Sequence, residues 1–318
     1  MTFSPQGAII FKKKKEKPML YNNLSGYLKC KYGKKIGKIC IDGGFCCPNR
    51  DGKCATGGCV FCGERGSGEH IDPRLSIRRQ TEEGLLRGRY EGYVAYFQNF
   101  TNTYADPATL KARYDEALFD SRIVALAIGT RPDCIDEDKA RLIASYKDRV
   151  DVWVELGLQS ASDKTAQIIN RGYTTDVYIR AAEILQAYGI PYVVHMIIGL
   201  PNEGRDDVLN TVEVINSTHP FGVKIHSLYV MRGTKLADMY LQNLYTPPTL
   251  EEFVLLTADA LERLSPDTVI HRLTGDCPSG MLLAPEWNKD KNAVLSAIRK
   301  ELEKRGTRQG ARYGIARI

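Results

Sequence analysis

Short runs of apolar and β-branched residues recur along the chain. They cover residues 37–41, 93–98, 123–129, 150–159, 192–199 and 223–230. Continuous apolar runs of this length are typical of strands buried on both faces, so each run predicts one strand of a parallel sheet.

Between these runs the apolar residues recur at helical spacing. The predicted helices cover residues 73–89, 107–119, 136–146, 162–188, 204–217 and 234–243, with a further helix at 286–305. Asp72 before Pro73 and Asp106 before Pro107 predict capped helix starts, and Gly172 predicts a break in the fourth helix.

Strand and helix thus alternate six times, which predicts right-handed βα crossovers and an α/β fold with a parallel sheet. Six units could form an open, partial TIM-like barrel, (βα)6, and a doubly wound sheet is the alternative. We divide the 318 residues into a basic N-terminal extension (1–35), a core barrel (36–240) and a small α-rich C-terminal extension (241–318) that packs on the barrel.

Seven of the nine cysteines fall within residues 30–62, and five of these, Cys46, Cys47, Cys54, Cys59 and Cys62, follow the first predicted strand. Cys47 and Cys59 are separated by eleven residues, and Cys59 and Cys62 by two. Three thiolates can hold an iron–sulfur cluster with one iron free, or a zinc ion with an open position. Cys46 and Cys54 compete for the same role. The roles of Cys30 and Cys40 stay open.

The polar stretches 99–104, 130–133, 159–162 and 201–203 also follow predicted strands. The carboxyl ends of parallel strands meet at one edge of the sheet, where α/β proteins bind their ligands. We therefore expect the cysteine loop and these stretches to form one active site.

Charge is concentrated at the two ends of the chain. Residues 1–40 carry a net charge of +9 and residues 299–318 one of +5, against +6 for the whole chain. Basic ends suit a polyanion such as nucleic acid, although a solvated lysine-rich tail explains Lys12–Lys15 equally well.

The clustered cysteines indicate a reducing compartment, so we expect a cytoplasmic protein. Neither a secretion signal nor an apolar run long enough to span a bilayer is evident, so no membrane partner is expected.

Several motifs together resemble the radical S-adenosylmethionine (SAM) superfamily, in the branch that resembles the catalytic subunit of elongator and includes the bacterial YhcC/YtqA group. They are ICIDGGFCCPNRDG, GGCVFCGERGSG, AYFQNFTNTYAD, IGTRPDCI, VELGLQSASDKTAQIINRGYT, HMIIGLPNEGRDD and GVKIHSLYVMRGTKLADMY. The resemblance implies a partial (βα)6 barrel. It also implies a [4Fe–4S] cluster on Cys47, Cys59 and Cys62, and SAM that is cleaved to a 5′-deoxyadenosyl radical. A reducing partner such as flavodoxin or ferredoxin is then expected. The spacing from Cys47 to Cys59 is longer than is usual in the superfamily.

The resemblance also implies which residues contact SAM. Phe61 would lie against the adenine, Glu155 and Gln159 beside the ribose, and Arg171 on the carboxylate. The superfamily's Gly-Gly-Glu stretch is absent, and other polar residues replace it. The full set is Phe61, Gln98, Asn99, Thr101, Asn102, Glu155, Gln159, Arg171, Gly199, Leu200 and Pro201. Packing or turn formation would explain Phe61, the replaced stretch and the Gly199–Pro201 turn as well.

Arg131, Lys224 and His226 are the candidates for contact with the substrate, whereas a core role is favoured for His195. The tail motif HRLTGDC, residues 271–277, would close the open side of the barrel. Because the elongator-like branch modifies tRNA wobble uridines, we predict a tRNA-modifying radical enzyme. The alternatives are a radical SAM enzyme acting on a small metabolite or peptide, and a non-enzymatic metal protein that binds nucleic acid.

Overall fold

Seven parallel strands form the main sheet, and their order in the sheet is their order in the chain. The computed structural model describes residues 19–66, 71–278 and 280–315. The strands are β1 (Ile36–Ile41), β2 (Gly92–Phe97), β3 (Ile123–Thr130), β4 (Asp151–Gln159), β5 (Tyr192–Ile198), β6 (Gly222–Ser227) and β8 (Val269–Arg272). Because the order never reverses, the doubly wound alternative is wrong, and the predicted partial barrel is confirmed.

Ten α-helices are described. They are α1 (Leu24–Tyr32), α2 (Ile77–Arg87), α3 (Pro107–Ala117), α4 (Glu137–Ala144), α5 (Asp163–Ile168), α6 (Thr175–Ala187), α7 (Arg205–Ser217), α8 (Lys235–Leu241), α9 (Leu250–Arg263) and α10 (Lys291–Lys304). Short 3₁₀ turns cover Pro132–Cys134 and Glu286–Lys289, and the short strands β7 (Val230–Met231) and β9 (Leu282–Ala284) pair antiparallel. The main core lies between the sheet and the helices on its outer face. No described helix is long and apolar enough to span a membrane.

One of the two predicted helix caps is confirmed. Asp106 accepts a hydrogen bond from the backbone N–H of Thr109 at 3.0 Å, at the start of α3. The predicted cap at Asp72 is wrong, because α2 begins only at Ile77 and Ser76 caps it. Ile77 is the first buried apolar residue of the helix, so the helix starts where its apolar face starts.

The predicted break at Gly172 is confirmed. α5 ends at Ile168 and α6 begins at Thr175, and Gly172 in the turn between them has a φ of +82°. Asn170 in the same turn also has a positive φ. The turn brings Arg171 back to the carboxyl end of β4, as described below.

β8 was not predicted and lies in the segment assigned to the C-terminal extension. Its four residues pair in parallel with β6, and it becomes the second edge of the sheet opposite β1. Such a short strand with polar residues gives no clear apolar run, so only its pairing with β6 identifies it. The boundary at residue 240 stays a prediction.

α1 lies across the amino ends of the strands. Near its start, Asn23 forms a bridge to Ile270 of β8, and near its end the Tyr32 hydroxyl donates to Asp151 of β4 and, at 3.3 Å, to the carbonyl of Val124. The C-terminal tail reaches the same face, since Gln309 accepts from the backbone N–H of Asn22 at 2.9 Å. The described parts of both basic ends therefore meet at the amino-end side of the barrel, and Lys12–Lys15 lie outside the described residues.

Candidate active site

The carboxyl ends of the strands surround a cavity of about 250 Å³. Cys47, Cys59 and Cys62 all line it. The competing Cys46 and Cys54 do not: both are exposed, and the Cys54 thiol donates to Asp133 at 3.5 Å instead. The predicted trio is thus the set of thiols that faces the cavity.

The cysteine loop is fixed by two neighbouring segments. Asn49 donates to the carbonyl of Asn170 at 2.6 Å, and Asn170 donates back to the carbonyl of Gly58 at 2.8 Å. The backbone N–H of Leu236 in α8 donates to the carbonyl of Val60 at 2.8 Å. The α5–α6 turn and the start of α8 therefore position the loop.

The surroundings of the three thiols favour negative charge on one of them. A hydrogen bond from Cys62 lowers the pKa of Cys59 to about 7, with further help from Arg131 and from Asn49, whose amide lies 3.6 Å from the sulfur. The same hydrogen bond and burial raise the pKa of Cys62, which Arg50 partly counteracts. A thiolate is the form that binds metals.

Most of the predicted SAM contacts lie around this cavity. Phe61, Gln98, Thr101, Glu155, Gln159 and Arg171 line it. Asn99 and Asn102 do not line it, because their amides are buried and donate to Asp42 and to the carbonyls of Phe97 and Gly129. These two asparagines therefore hold the turn after β2.

Arg171 is buried with 1% exposure, and most of its donors are already used. It donates to the carbonyls of Leu158, Ser160 and Tyr173 and, at 3.3 Å, to Asp163. A guanidinium has five N–H donors, so one is left for a ligand instead of the two-pronged contact that the resemblance implies.

Arg131 also has a partner of its own. Two of its nitrogens bind the Asp133 carboxylate at 2.9 and 2.7 Å, and a third donates to the carbonyl of Arg171 at 2.9 Å. Tyr173 lies between the two arginines, with each guanidinium 4.7 Å from its ring centroid. The sequence analysis missed Tyr173, although it follows Arg171 by two residues in the same motif.

The predicted adenine contacts Gly199, Leu200 and Pro201 lie elsewhere. They line a second cavity of about 770 Å³. The loop before α9 forms its other wall, where the Tyr245 hydroxyl donates to the carbonyl of Gly199 at 2.7 Å. These three residues do not line the first cavity, although Leu200 shares an apolar cluster with Val60 of the cysteine loop, and Phe61 packs against that cluster.

The interior of the barrel beneath the first cavity holds a buried ion pair. The Lys224 ammonium binds the Glu155 carboxylate, which also receives hydrogen bonds from His195 at 2.8 Å and from the Trp153 indole at 3.2 Å. Burial opposes the charge on Glu155, but Lys224 and His195 hold its pKa well below the usual range. Burial lowers the pKa of Lys224 to about 7 and that of His195 to about 4.

The ion pair of Lys224 and Glu155 determines which of the predicted substrate residues face the cavity. Lys224 lies behind Glu155 and does not line the cavity, whereas His195 and His226 do. The two imidazole rings have centroids 5.1 Å apart. His195, for which a core role was favoured, therefore faces the cavity and is hydrogen-bonded at the same time. Tyr96, which also lines the cavity, was missed because a tyrosine within an apolar strand gives no separate signal.

Comparisons with known proteins agree with this architecture. The profile of the radical SAM superfamily matches residues 51–215, and that of the radical SAM C-terminal domain matches residues 220–304. The protein YtqA of Bacillus subtilis is 37% identical over 298 residues, which cover 91% of this chain and 92% of YtqA. Protein YhcC of Escherichia coli is 34% identical over 297 residues, which cover 93% of this chain and 96% of YhcC.

Among solved structures, the archaeal Methanocaldococcus infernus Elp3 with an N-terminal deletion has a TM-score of 0.66 and 19% sequence identity. The match covers 86% of this chain and 64% of the Elp3 chain, and it concerns the fold. The superfamily profile includes Cys59 and Cys62, and the two relatives each cover more than nine-tenths of this chain. The chain is therefore an enzyme of the radical SAM superfamily and belongs to the branch that includes YtqA, YhcC and Elp3.

Proposed function

We propose that Cys47, Cys59 and Cys62 hold a [4Fe–4S] cluster, and that the enzyme uses it with SAM to modify the side chain of a wobble uridine in tRNA. The observation that carries the cluster assignment is the arrangement of the three thiols. They line one cavity at the carboxyl ends of the strands, and the neighbouring Cys46 and Cys54 are exposed outside it.

The three thiols that line the cavity fit a cluster that keeps one position open. In a cubane each thiolate binds a different iron, so three of them leave one iron open. A structural zinc ion would instead take four ligands.

When bound, the cluster supplies the electron that cleaves SAM. The chain's own residues bind and orient SAM. Thr101, which lines the cavity, has a buried side-chain oxygen without a hydrogen-bond partner in the described structure, as does Asn49 within the cysteine loop. Buried polar atoms are normally satisfied, so the Thr101 oxygen fits a site that receives a polar ligand. Arg171 retains one N–H, and Gln98 and Gln159 line the same wall.

The charge beside the cysteine loop supports a substrate with phosphates. Lys53 of the loop is exposed, as are Arg232 just before α8 and Lys235 at its start, and the Lys235 ammonium lies against Gly57 of the loop. The second basic surface, made of the described parts of the two chain ends, lies on the opposite side of the barrel. A ligand that contacts both surfaces must extend past the barrel, so an intact RNA fits this arrangement better than a nucleoside.

The free thiols of the cysteine loop and the need for a reductant support a cytoplasmic setting, with flavodoxin or ferredoxin as the donor class. The test is anaerobic reconstitution with iron and sulfide, followed by SAM and dithionite with intact or nuclease-digested bulk tRNA. We expect 5′-deoxyadenosine to form faster with intact tRNA. Equal rates would overturn the RNA assignment in favour of a small metabolite or peptide, and no product from cluster-loaded protein would overturn the radical mechanism.

Binding provides a second test. Phosphate contacts make affinity depend on salt. The logarithm of the binding constant falls with the logarithm of the salt concentration, by about 0.7 to 0.9 per phosphate contact. Replacement of the exposed Lys35 and Arg308 by alanine should weaken tRNA binding and reduce this slope. The matched control is Lys164→Ala, an exposed lysine at the start of α5 that does not belong to the chain ends. Equal slopes for all variants would contradict a role of the chain ends.

A further inference from the structure

Three cations share the interior of the barrel beside the open edge between β1 and β8. They are Lys38 of β1, Lys224 of β6 and Arg272 of β8, and we call them the interior cation cluster. Lys224 is neutralised by Glu155. Lys224 and Arg272 are partners in the register of β6 and β8, and Lys38 lies 4.8 Å from the ring centroid of Tyr96.

Neither Lys38 nor Arg272 has a buried counter-ion. Among the described residues Lys38 forms no ion pair, and the carboxylate nearest Arg272 is the exposed Asp276 at 3.8 Å. Both cations act on Lys224: burial and repulsion from Lys38 and Arg272 together lower its pKa to about 7, against the opposing effect of Glu155. The cluster thus has more positive than negative charge.

Two histidines beside the cluster also have unused polar atoms. Nε2 of His226 and both ring nitrogens of His271 are buried and lack a hydrogen-bond partner in the described structure. Such atoms normally bind a protein group, a water or a ligand. The interior cation cluster therefore lies beside histidine nitrogens that can form a hydrogen bond with a ligand.

The cluster adjoins the cavity of the active site. Tyr96 and His226 line that cavity, and the ammonium groups of Lys224 and Lys38 lie over the Tyr96 ring at 4.3 and 4.8 Å from its centroid. Lys38 and Arg272 do not line the cavity themselves. Lys38 is exposed on the edge strand β1, and Arg272 lies on the other edge strand, β8, with a side-chain exposure of 31%.

We propose that the open edge of the barrel beside this cavity, between β1 and β8, binds an anionic group of the substrate, a carboxylate or a phosphate, through Lys38 and Arg272. The inference rests on the proposed function, because it takes the cavity as the place of reaction. In an RNA substrate the anion is either a backbone phosphate or an acidic group on the base side chain that reacts. In either case Lys38 and Arg272 determine specificity, and Lys224 keeps Glu155 in place.

The test uses the cluster-loaded protein with histidine-selective ¹⁵N labelling and three probes: inorganic phosphate, acetate and neutral acetamide. We expect a saturable shift of the His226 and His271 signals with an anion and none with acetamide. Lys38→Gln and Arg272→Gln should each weaken anion binding about tenfold, the usual effect of one charge-assisted hydrogen bond. Lys164→Gln is the charge-matched control and should bind as the original chain does.

Tighter binding of phosphate than acetate would assign the site to a phosphate, and the reverse order to a carboxylate. The proposal is overturned if neither anion shifts these signals, or if all three variants bind equally. Formation of 5′-deoxyadenosine in the same preparation reports on the radical chemistry separately, so a failure of the anion site is distinguishable from a failure of the proposed function.

Discussion

Glu155 and Lys224 form an ion pair across the interior of the barrel, from β4 to β6, with side-chain exposures of 0% and 4%. The strand between them contributes His195, which binds the same carboxylate. Three adjacent strands are thus connected through one carboxylate just below the cavity.

This relationship predicts a large loss of stability when one partner is removed. Lys224→Met should lower the free energy of unfolding by about 3–5 kcal/mol, because it leaves the Glu155 carboxylate buried without its counter-ion. Urea denaturation near neutral pH measures the change. The exposed pair of Lys289 and Glu286 is the control, and Lys289→Met should change stability by less than about 0.5 kcal/mol. Similar losses for the two variants would contradict a structural role for the buried pair.

The cysteines should separate into two groups. Serine at Cys47, Cys59 or Cys62 should abolish cluster binding after reconstitution, because each thiolate would bind a different iron. Cys46→Ser and Cys54→Ser should retain it, since neither thiol lines the cavity. Iron and sulfide content and the visible absorbance measure this. Loss of the cluster in Cys46→Ser with retention in Cys47→Ser would reverse the assignment.

Gly172 should tolerate no side chain. Its φ is +82°, and a Cβ would lie 3.0 Å from Oδ1 of Asn49. Gly172→Ala should destabilise the protein by about 1–2 kcal/mol, the cost of a left-handed conformation. It should also reduce iron retention, because Asn49 fixes the cysteine loop. Gly26→Ala is the control and should raise stability by roughly 0.5 kcal/mol, because Gly26 lies in a helix. Thermal unfolding and iron analysis of both variants test this, and a neutral Gly172→Ala would contradict it.

The buried histidines should make the protein sensitive to acid. Burial lowers the pKa of His271 from 6.5 to about 3. Below the unfolded value the unfolded chain therefore binds a proton that the folded chain does not, and stability falls as the pH falls. One such histidine contributes about 1.4 kcal/mol per pH unit in this range.

His271→Leu removes this titration and keeps a similar volume. Its unfolding free energy should fall less steeply than that of the original chain between pH 6.5 and about 3, by about 1.4 kcal/mol per pH unit. Denaturation curves at a series of pH values measure both slopes. Parallel slopes would show that His271 is protonated in the folded protein as well.

Much of the fold was predictable because it depends on local patterns. The spacing of apolar runs predicted six of the seven strands of the main sheet, and Asp106 predicted the start of α3. The start of α2 was predicted too early, because a proline after an aspartate is a weaker signal than the first buried residue of the helix. β8 has no local signal, since it depends on pairing with β6.

The sequence predicted the position of the candidate site better than it predicted the contacts of the site's residues. Position after a strand indicated the edge of the sheet at which Cys47, Cys59 and Cys62 meet. The donors left on Arg171, the contact of Arg131 with the carbonyl of Arg171 and the place of Leu200 in a second cavity depend on contacts between different segments of the chain.

The sequence by itself determined the strand and helix periodicity, the parallel α/β sheet and the cysteine loop at its carboxyl edge, since all of these depend on residue type and spacing along the chain. Only the tertiary structure decided that Lys224 is paired with Glu155, that β8 forms the second edge of the sheet, and that Lys38 and Arg272 lack buried counter-ions. These are properties of distance and burial between distant residues, which no local pattern specifies.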